Sequence, residues 1–405
     1  MILPDAEWRR RPGLDRLVAA LGDARFVGGS VRDTLLGLPV ADIDVATPLA
    51  PENVIERLRA AAIRVVPTGL AHGTVTAVLD GGPVEVTTLR HDVATDGRHA
   101  TVAFTADWRA DAARRDFTMN ALYADPANGT IFDFFGGIDD LFSRQVRFIG
   151  DPLRRIAEDH LRILRFFRFL ARFGDTPDAD ALAACTARAR DLMALSRERI
   201  ADELTKLLVA RDAPRVVRLM VEHGIFAPVL PEIDADGAAR LDTLAAAEAQ
   251  AGIAASAIRR LAALLPPSDA VATAVGARLK LSNANRKRLA AAARPLAIAD
   301  AREAAYRLGR ENAVDALLLA GRIADAAAMA EWDVPRLPLG GGALVARGLA
   351  KGPEVARALH AVEDRWIAEG FPGEARVAQL ADEAVTALLQ PSSIANAAGS
   401  SSGRA

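Results

Sequence analysis

The first 145 residues alternate short β-rich runs with Gly, Pro and Asp, which is typical of strands and helices joined by turns. Five runs are predicted as strands: Arg25–Gly28, Ile43–Ala46, Ile63–Val66, Thr74–Leu79 and Val84–Leu89. The last two are joined through Asp80-Gly81-Gly82-Pro83, which favours a hairpin. The segment Pro51–Leu58 begins with Pro followed by an acid, so it is predicted to start a helix.

The pattern changes after Gly150-Asp151-Pro152, and the rest of the chain is predicted to form a succession of helices. Abundant Ala after residue 175 supports this prediction, because Ala has the highest helix propensity. The last segment, Pro391–Ala405, is rich in Ser, Ala and Gly and is predicted to be disordered. The pattern therefore indicates an α+β protein with its sheet at the N-terminal end.

Composition narrows the function only by exclusion. The chain has 405 residues, which suggests two to four domains, and a formal net charge of −2, so any nucleic-acid surface must be local. The single cysteine, Cys185, rules out an intrachain disulfide and a Cys-rich zinc site. The start Met1–Glu7 lacks a signal-peptide pattern, and no apolar stretch reaches the roughly 20 residues of a membrane span. We therefore expect a cytoplasmic protein without a membrane segment.

The first motif with chemical content is Gly28-Gly29-Ser30-Val31-Arg32-Asp33, followed by Asp42-Ile43-Asp44. Paired glycines after a strand let the backbone approach a ligand closely, and Arg32 adds a charged donor. Alternation along a strand would place Asp42 and Asp44 on one face, where two carboxylates repel each other unless a cation lies between them. Mg²⁺ bridging to triphosphate oxygens is the usual solution. Each half alone is equally compatible with a plain turn or a solvated strand end.

The second motif is the run Arg114–Leu122, with the sequence Arg-Arg-Asp-Phe-Thr-Met-Asn-Ala-Leu. Its paired arginines supply donors for phosphate or sugar oxygens. Asp116 and Asn120 are four residues apart and would share a face if this run were a helix. Taken alone, the run is also compatible with an ordinary amphipathic helix start.

The third motif extends from Glu158 to Phe169 and contains Asp159, Arg162, Arg165 and Arg168. On a helix, Asp159 and Arg162 would be neighbours on one face. The alternative is an ion-pair ladder on a helix surface, which stabilises little. Eight arginines between residues 144 and 172 face three acids, which makes this stretch locally basic.

Together the three motifs resemble those of the class II tRNA CCA-adding enzymes and the bacterial poly(A) polymerases, within the DNA polymerase β superfamily. The resemblance covers roughly residues 20–235. It implies a polymerase β-like catalytic head with a small mixed sheet at residues 1–145, followed by an all-α neck at 146–210 and a body and tail at 211–390. A mobile loop that helps to switch specificity is expected at Asp92–Arg109.

The resemblance also implies roles for individual residues. Asp42 and Asp44 would hold Mg²⁺, and Glu85 would be the third carboxylate unless it is only a solvated hairpin acid. Asp159 and Arg162 would select the base as a protein template. The triphosphate and sugar would be held by Gly29, Arg32, Arg115, Arg165 and Arg168. The Ser196–Glu203 element is expected to support the template helix rather than to take part in catalysis.

The predicted function is CTP- and ATP-dependent addition of CCA to the 3′ end of tRNA. A carboxylate only accepts hydrogen bonds and a guanidinium only donates them, so Asp159 and Arg162 can satisfy C and A but not U and G. Two alternatives stay open: a poly(A) polymerase or enzyme adding part of CCA, which would share every motif, and a non-catalytic RNA-binding homologue. The sequence leaves the oligomeric state open between monomer and dimer.

Overall fold

The computed structural model of the chain describes residues 1–95 and 100–389. The chain divides into two compact units, of which unit 1 comprises residues 1–245 and 255–293, and unit 2 comprises residues 246–254 and those from 294 onward. Both predicted boundaries, at residues 145 and 210, lie within unit 1, and the division into head, neck and body stays a prediction. The predicted disordered tail, 391–405, lies outside the described residues.

Unit 1 begins with a mixed sheet of seven strands in the order β3-β4-β5-β2-β1-β8-β9, and a separate ribbon pairs β6 with β7. Within the large sheet, β2 and β5 are parallel and the other neighbours are antiparallel. The strands are β1 Arg25–Val27, β2 Asp44–Thr47, β3 Arg64–Gly69, β4 Thr74–Leu79, β5 Gly82–Thr88, β6 Arg90–Thr95, β7 Ala100–Phe104, β8 Leu122–Ala124 and β9 Ile131–Asp133.

The five predicted strands and the hairpin are confirmed, and the mixed sheet expected from the resemblance is present. Alternation is clearest in β5, where Val84 and Val86 are buried and Glu85 between them is exposed. The predicted loop Asp92–Arg109 is wrong over most of its length, because β6 and β7 form an antiparallel ribbon there; residues 96–99 lie outside the described part.

Thirteen α-helices lie wholly within the described residues of unit 1, and α11 extends from unit 1 into residues of unit 2. Several of these helices are capped by a side chain, as the sequence would favour. Asp151, Asp178 and Ser196, for example, accept a hydrogen bond from the first turn of the helix that follows. The helices are α1 Leu14–Leu21, α2 Gly29–Leu35, α3 Pro51–Ala60, α4 Trp108–Ala113, α5 Gly137–Phe142, α6 Pro152–Glu158, α7 Arg162–Phe173, α8 Ala179–Ala187, α9 Arg197–Leu208, α10 Ala213–Glu222, α11 Ala235–Ala251, α12 Ala257–Leu264, α13 Asp269–Arg278 and α14 Asn283–Ala292.

A cluster of phenylalanines anchors α7 against the segment that precedes β8. The ring centroid of Phe117 lies 4.9 Å from that of Phe148 and 5.0 Å from that of Phe169, and Phe148 stacks on Phe166 at 5.8 Å. Phe117, Phe148 and Phe166 are almost completely buried. Because side chains of this size contribute strongly to packing, the cluster fixes α7 beside the Arg114–Leu122 run.

The chain does not form one helix through the third motif. Helix α6 ends at Glu158, Asp159 has extended backbone angles, and α7 begins only at Arg162. The predicted arrangement of Asp159 and Arg162 on one helix face is therefore wrong. The Asp159 carboxylate accepts a hydrogen bond from the backbone N–H of Leu161 at 3.1 Å, a local turn by which Asp competes with helix continuation.

In the described residues beyond 294, the regular elements of unit 2 are all helices, and a core cluster surrounds Trp366. The indole Nε1 donates to the carbonyl of Pro372 at 2.8 Å, and the ring meets Phe371 edge-on at 4.9 Å. No helix in the described part of the chain is long and apolar enough to cross a bilayer. The helices are α15 Ala301–Leu308, α16 Arg310–Leu319, α17 Ile323–Glu331, α18 Gly341–Val345, α19 Pro353–Ala368 and α20 Glu374–Leu389.

Candidate active site

A cavity of about 350 Å³ in unit 1 gathers residues from all three sequence motifs. Glycines and a carboxylate lie at one end, and charged side chains of the α6–α7 region lie at the other. The lining residues are Gly28, Gly29, Arg32, Asp44, Arg114, Arg115, Asp116, Asn120, Asp159, Arg162, Arg165 and Phe169.

The parallel pairing of β2 with β5 places Asp44 directly beside Glu85. Paired residues in neighbouring strands project to the same face, so the two carboxylates share one side of the sheet. Burial, Glu85 and Asp42 raise the pKa of Asp44 to about 6, against the opposing effect of Arg115. Three acids therefore influence one another where β2 begins beside β5, and Arg115 compensates the repulsion between them only partly.

These acids suit a hard divalent cation, because oxygen ligands are the ones that Mg²⁺ and Ca²⁺ prefer. Asp44 is partly buried and lines the cavity, whereas Asp42 and Glu85 are exposed and do not. Among the described residues, no three His, Cys, Asp or Glu side chains converge closely enough to form a ligand group by themselves. That is compatible with Mg²⁺, which is often held by one or two carboxylates together with substrate phosphates.

Gly28 forms the tight turn between β1 and α2. Its φ of 71° lies in the left-handed region, which favours glycine. A Cβ atom there would lie 3.5 Å from Nη1 of Arg115 and 3.9 Å from Oδ2 of Asp44. The backbone therefore approaches both charged groups without an intervening side chain, which leaves room for a ligand at this end of the cavity.

Arg32 is buried in the cavity wall, with about 6% of its surface exposed. Its Nε donates to Asp33 at 2.8 Å and its Nη1 donates to the Asn120 side chain at 2.5 Å. Burial lowers the pKa of Arg32, and Asp33 partly opposes this effect. The guanidinium also lies over the ring of Phe173 at 4.4 Å, so its position is fixed by contacts on several sides.

Asp116 links the second motif to α7. It accepts hydrogen bonds from Nε of Arg165 at 2.8 Å and from Nδ2 of Asn120 at 3.0 Å. Burial tends to raise the pKa of Asp116, but Arg165 and Asn120 outweigh it and hold the pKa at about 2. The contact between Asp116 and Asn120 expected from their spacing is present, although the segment is a turn and a short 3₁₀ helix, not the predicted α-helix.

Asp159 and Arg162 both face the other end of the cavity, but they form hydrogen bonds with different partners. Nη2 of Arg199 donates to both oxygens of Asp159, at 2.9 and 3.1 Å. Nη1 of Arg162 donates to Glu158 at 2.7 Å, and its Nη2 donates to the carbonyl of Arg114 at 2.9 Å. The acceptor and the donor are thus held separately on the two sides of the α6–α7 break.

Known proteins resemble this chain in sequence and in structure. A family model described as the poly A polymerase head domain matches residues 24–147, and one described as a probable RNA and SrmB-binding site of polymerase A matches residues 176–236. CCA tRNA nucleotidyltransferase 1, mitochondrial, of Mus musculus is 36% identical over 372 residues, which are 86% of this chain and 84% of that protein. The CCA-adding enzyme of Levilactobacillus brevis is 41% identical over 211 residues, 52% of each chain.

This chain belongs to the family of CCA-adding enzymes and poly(A) polymerases. The solved structures agree: that of the Bacillus stearothermophilus CCA-adding enzyme in complex with CTP has a TM-score of 0.73 and 30% identity, over 92% of this chain and 97% of the other. The predicted membership of the family is therefore confirmed. The mouse relative is named as mitochondrial, so the cytoplasmic location stays a prediction.

The structure brings most, but not all, of the predicted site residues of this family member to the cavity. Those that line it are Gly29, Arg32, Asp44, Arg115, Asp159, Arg162 and Arg165. Arg168 does not, because it lies on the side of α7 that faces α9 and donates to the buried Glu203 at 2.5 Å. Its expected contact with the triphosphate is therefore not supported by this geometry.

Several lining residues were absent from the predicted set: Gly28, Arg114, Asp116, Asn120 and Phe169. The spacing of Asp116 and Asn120 carried a signal, since four residues separate them in a motif already singled out. Arg199 was missed as the partner of Asp159 because forty residues separate them, and nothing local indicates the contact.

Proposed function

We propose that this chain adds CCA to the 3′ end of tRNA from CTP and ATP, without a nucleic-acid template. The observation that carries the proposal is the single cavity that joins Asp44 and the Gly28 turn at one end to Asp159 and Arg162 at the other. A nucleotide has the same two ends, a triphosphate that needs metal and cationic donors and a base with a hydrogen-bonding edge. The names of the relatives support tRNA as the acceptor.

Asp42 and Asp44 would hold Mg²⁺, and Glu85, paired with Asp44 in the sheet, is the third carboxylate of this proposal. When bound, Mg²⁺ supplies charge neutralisation for the triphosphate and makes the terminal ribose hydroxyl of the RNA a better nucleophile. The carboxylates themselves would orient the cation at the start of β2, beside the Gly28 turn.

The cationic wall of the cavity would hold the triphosphate and the sugar. Arg115 lies nearest to Asp44 and is assigned to the phosphates, whereas Arg32 and Arg165 border the middle of the cavity. Arg32 and Arg165 are held by acceptors on the protein, Asn120 and Asp116, and so present their remaining donors in fixed directions. Such preorganised donors cost little reorganisation when charge develops on the substrate.

Asp159 and Arg162 would select the base. Cytosine and adenine each present an exocyclic amine that can donate to Asp159 and a ring nitrogen that can accept from Arg162. Uracil and guanine present a carbonyl and an N–H at these positions. The acceptor Asp159 would therefore face another acceptor, and the donor Arg162 would face another donor. Unpaired polar groups in an enclosed site strongly disfavour the wrong substrate.

A nucleotide-addition assay tests the proposal directly. The protein and Mg²⁺ are incubated with tRNA transcripts that lack CCA, CA or only the last A, and each nucleoside triphosphate is offered singly. Two C residues followed by one A, with no further extension, would support CCA addition. Failure to incorporate any nucleotide would refute the proposal and favour a non-catalytic RNA-binding homologue.

A poly(A) polymerase is the second candidate, because the matching head model carries that description. The same assay separates the two activities. Tailing with A alone, on RNA of any 3′ sequence and without a stop, would show a poly(A) polymerase and refute CCA addition. Addition of only CC or only the last A would show an enzyme that adds part of CCA.

A further inference from the structure

A buried carboxylate outside the cavity connects several charged groups of the site. Asp111 lies on α4 with about 1% of its surface exposed, and it does not line the cavity. Its Oδ1 accepts from Nε of Arg114 at 2.8 Å and from the backbone N–H of Arg90 at 3.1 Å. Its Oδ2 accepts from the Tyr123 hydroxyl at 2.6 Å and from Nη2 of Arg115 at 3.3 Å. A buried anion with four donors is fully satisfied and therefore rigid.

Two of the three nitrogens of the Arg115 guanidinium are bound to this network. Its Nε donates to the Tyr123 hydroxyl at 3.2 Å, and its Nη2 donates to Asp111. Its Nη1 has no hydrogen-bond partner within the described part of the chain, and it is the atom that a Cβ at Gly28 would meet at 3.5 Å. The free nitrogen is thus aimed at the carboxylate end of the cavity.

The Tyr123 side chain is itself held in place. It is fully buried in β8, and its ring meets Trp108 edge-on at 5.5 Å and Phe134 at 6.1 Å. An arginine side chain has several rotatable bonds, and fixing it in a productive direction before the ligand arrives saves that entropy on binding. The Tyr123 hydroxyl and the Asp111 carboxylate accept hydrogen bonds from one edge of the Arg115 guanidinium and provide this restraint.

We propose that Asp111 and Tyr123 are positioning residues that orient Arg115 toward the triphosphate of the incoming nucleotide. The inference rests on the proposed nucleotidyltransferase function. Neither side chain lines the cavity, and both hold Arg115. Asp111 also holds Arg114, so Tyr123→Phe is the variant that isolates the effect through Arg115. Because Arg115 lies at the Asp44 end and not at the Asp159 end, the effect is the same for every base.

The test compares Asp111→Asn and Tyr123→Phe with the wild type in single-nucleotide addition, with CTP and ATP measured separately. Loss of a hydrogen bond to a charged group predicts a fall in kcat/KM on the order of 10- to 100-fold for either nucleotide. The ratio between CTP and ATP, and the discrimination against UTP and GTP, should stay at their wild-type values. A change confined to one base would overturn the inference.

Asp140→Asn provides a matched control. Asp140 is also a buried acid that accepts from a hydroxyl and an arginine, at 2.5 Å from Thr118 and 3.0 Å from Arg147, but it does not line the cavity and does not contact Arg115. This control should lower the midpoint of thermal unfolding while kcat/KM of the folded protein stays within about twofold of the wild type. An equal loss of kcat/KM in the control would show a merely structural effect and overturn the inference.

A double-mutant cycle separates positioning from independent effects. In an Arg115→Ala background, Tyr123→Phe should change kcat/KM by less than about twofold, because the arginine through which it acts is gone. Fully additive losses would overturn the inference. If Asp111→Asn fails to fold, Tyr123→Phe decides alone, since it keeps the buried ring. A wild type that incorporates neither nucleotide refutes the proposed function and this inference with it, whereas an active wild type with unchanged variants refutes only the inference.

Discussion

Replacing Asp159 by Asn is expected to admit UTP to the site while leaving the shape of the cavity intact. The wild-type carboxylate can only accept hydrogen bonds, so it repels the O4 carbonyl of uracil. An Asn side chain keeps one acceptor oxygen, which can still serve the backbone N–H of Leu161, and adds an NH₂ group that can donate to O4. The change relieves the mismatch at O4, whereas Arg162 still faces the N–H of uracil, and it replaces the ion pair with Arg199 by a neutral contact.

The expected magnitude follows from the environment of Asp159. Leaving a polar group unpaired in an enclosed site costs about 1–3 kcal/mol, which corresponds to roughly 5- to 150-fold in rate. The Asp159 side chain is about 30% exposed, so the lower half of this range applies. We expect the ratio of kcat/KM for UTP over CTP to rise about 5- to 30-fold. The partly exposed ion pair with Arg199 contributes at most about 1 kcal/mol to stability.

The assay is single-nucleotide addition to tRNA lacking CCA, with CTP and UTP compared at limiting concentrations. Asp191→Asn is a suitable control, because Asp191 is a similarly exposed acid that pairs with Arg188 at 2.6 Å and does not line the cavity. The control should keep wild-type discrimination. If Asp159→Asn rejects UTP as strongly as the wild type does, the assignment of Asp159 to base selection is refuted.

Three further predictions concern the stability and chemistry of the site. Asp116 has a pKa near 2 in place of about 3.8, so its ionised form stabilises the fold by about 2 kcal/mol above pH 4, and this contribution is lost as the pH falls toward 2. The loss of unfolding free energy caused by Asp116→Asn, measured in urea, should therefore be smaller at pH 3 than at pH 7. An equal loss at both pH values would contradict this account. Gly28 and Gly37 have φ of 71° and 65°, so replacing either by Ala should lower the free energy of unfolding by about 1 kcal/mol. Only Gly28→Ala should also lower kcat/KM, because its Cβ would lie 3.5 Å from Arg115, whereas nothing lies within 4 Å of a Cβ at Gly37. Asp44→Asn should abolish nucleotide addition. In the presence of chelator, its thermal unfolding midpoint should equal or exceed that of the wild type, because the change removes a partly buried charge that lies beside two other acids. A midpoint below that of the wild type would refute this account.

The parts of the site that depend on local patterns could be predicted from the sequence. The Gly28-Gly29 turn, the strand that carries Asp44 and the exposed Glu85 between two buried valines all follow from periods of two and from glycine chemistry. The parallel pairing that brings Asp44 beside Glu85 is a long-range contact, and local patterns carry no information on it. Glu85 was predicted as the third carboxylate from the resemblance to a known family, not from the local pattern.

Errors arose where tertiary contacts override local preference. The arginines of α7 look equivalent in sequence, yet Arg165 faces the cavity and Arg168 faces Glu203, since α9 packs on one side of the helix only. The ribbon β6–β7 was missed because β6 begins with the polar residues Arg90, His91 and Asp92, although β7, Ala100–Phe104, is mostly apolar.

The break between α6 and α7 changes how the base-selecting pair must be understood. If Asp159 and Arg162 shared one helix, a single rigid element would fix their separation. Instead, Arg162 is anchored to Glu158 and to the carbonyl of Arg114, whereas Asp159 is anchored to Arg199 on α9. Because two elements hold the two groups, a small displacement of α9 would move the acceptor relative to the donor. Cytosine and adenine place their amine at different distances from the sugar, so a pair that can separate suits both bases better than a rigid one.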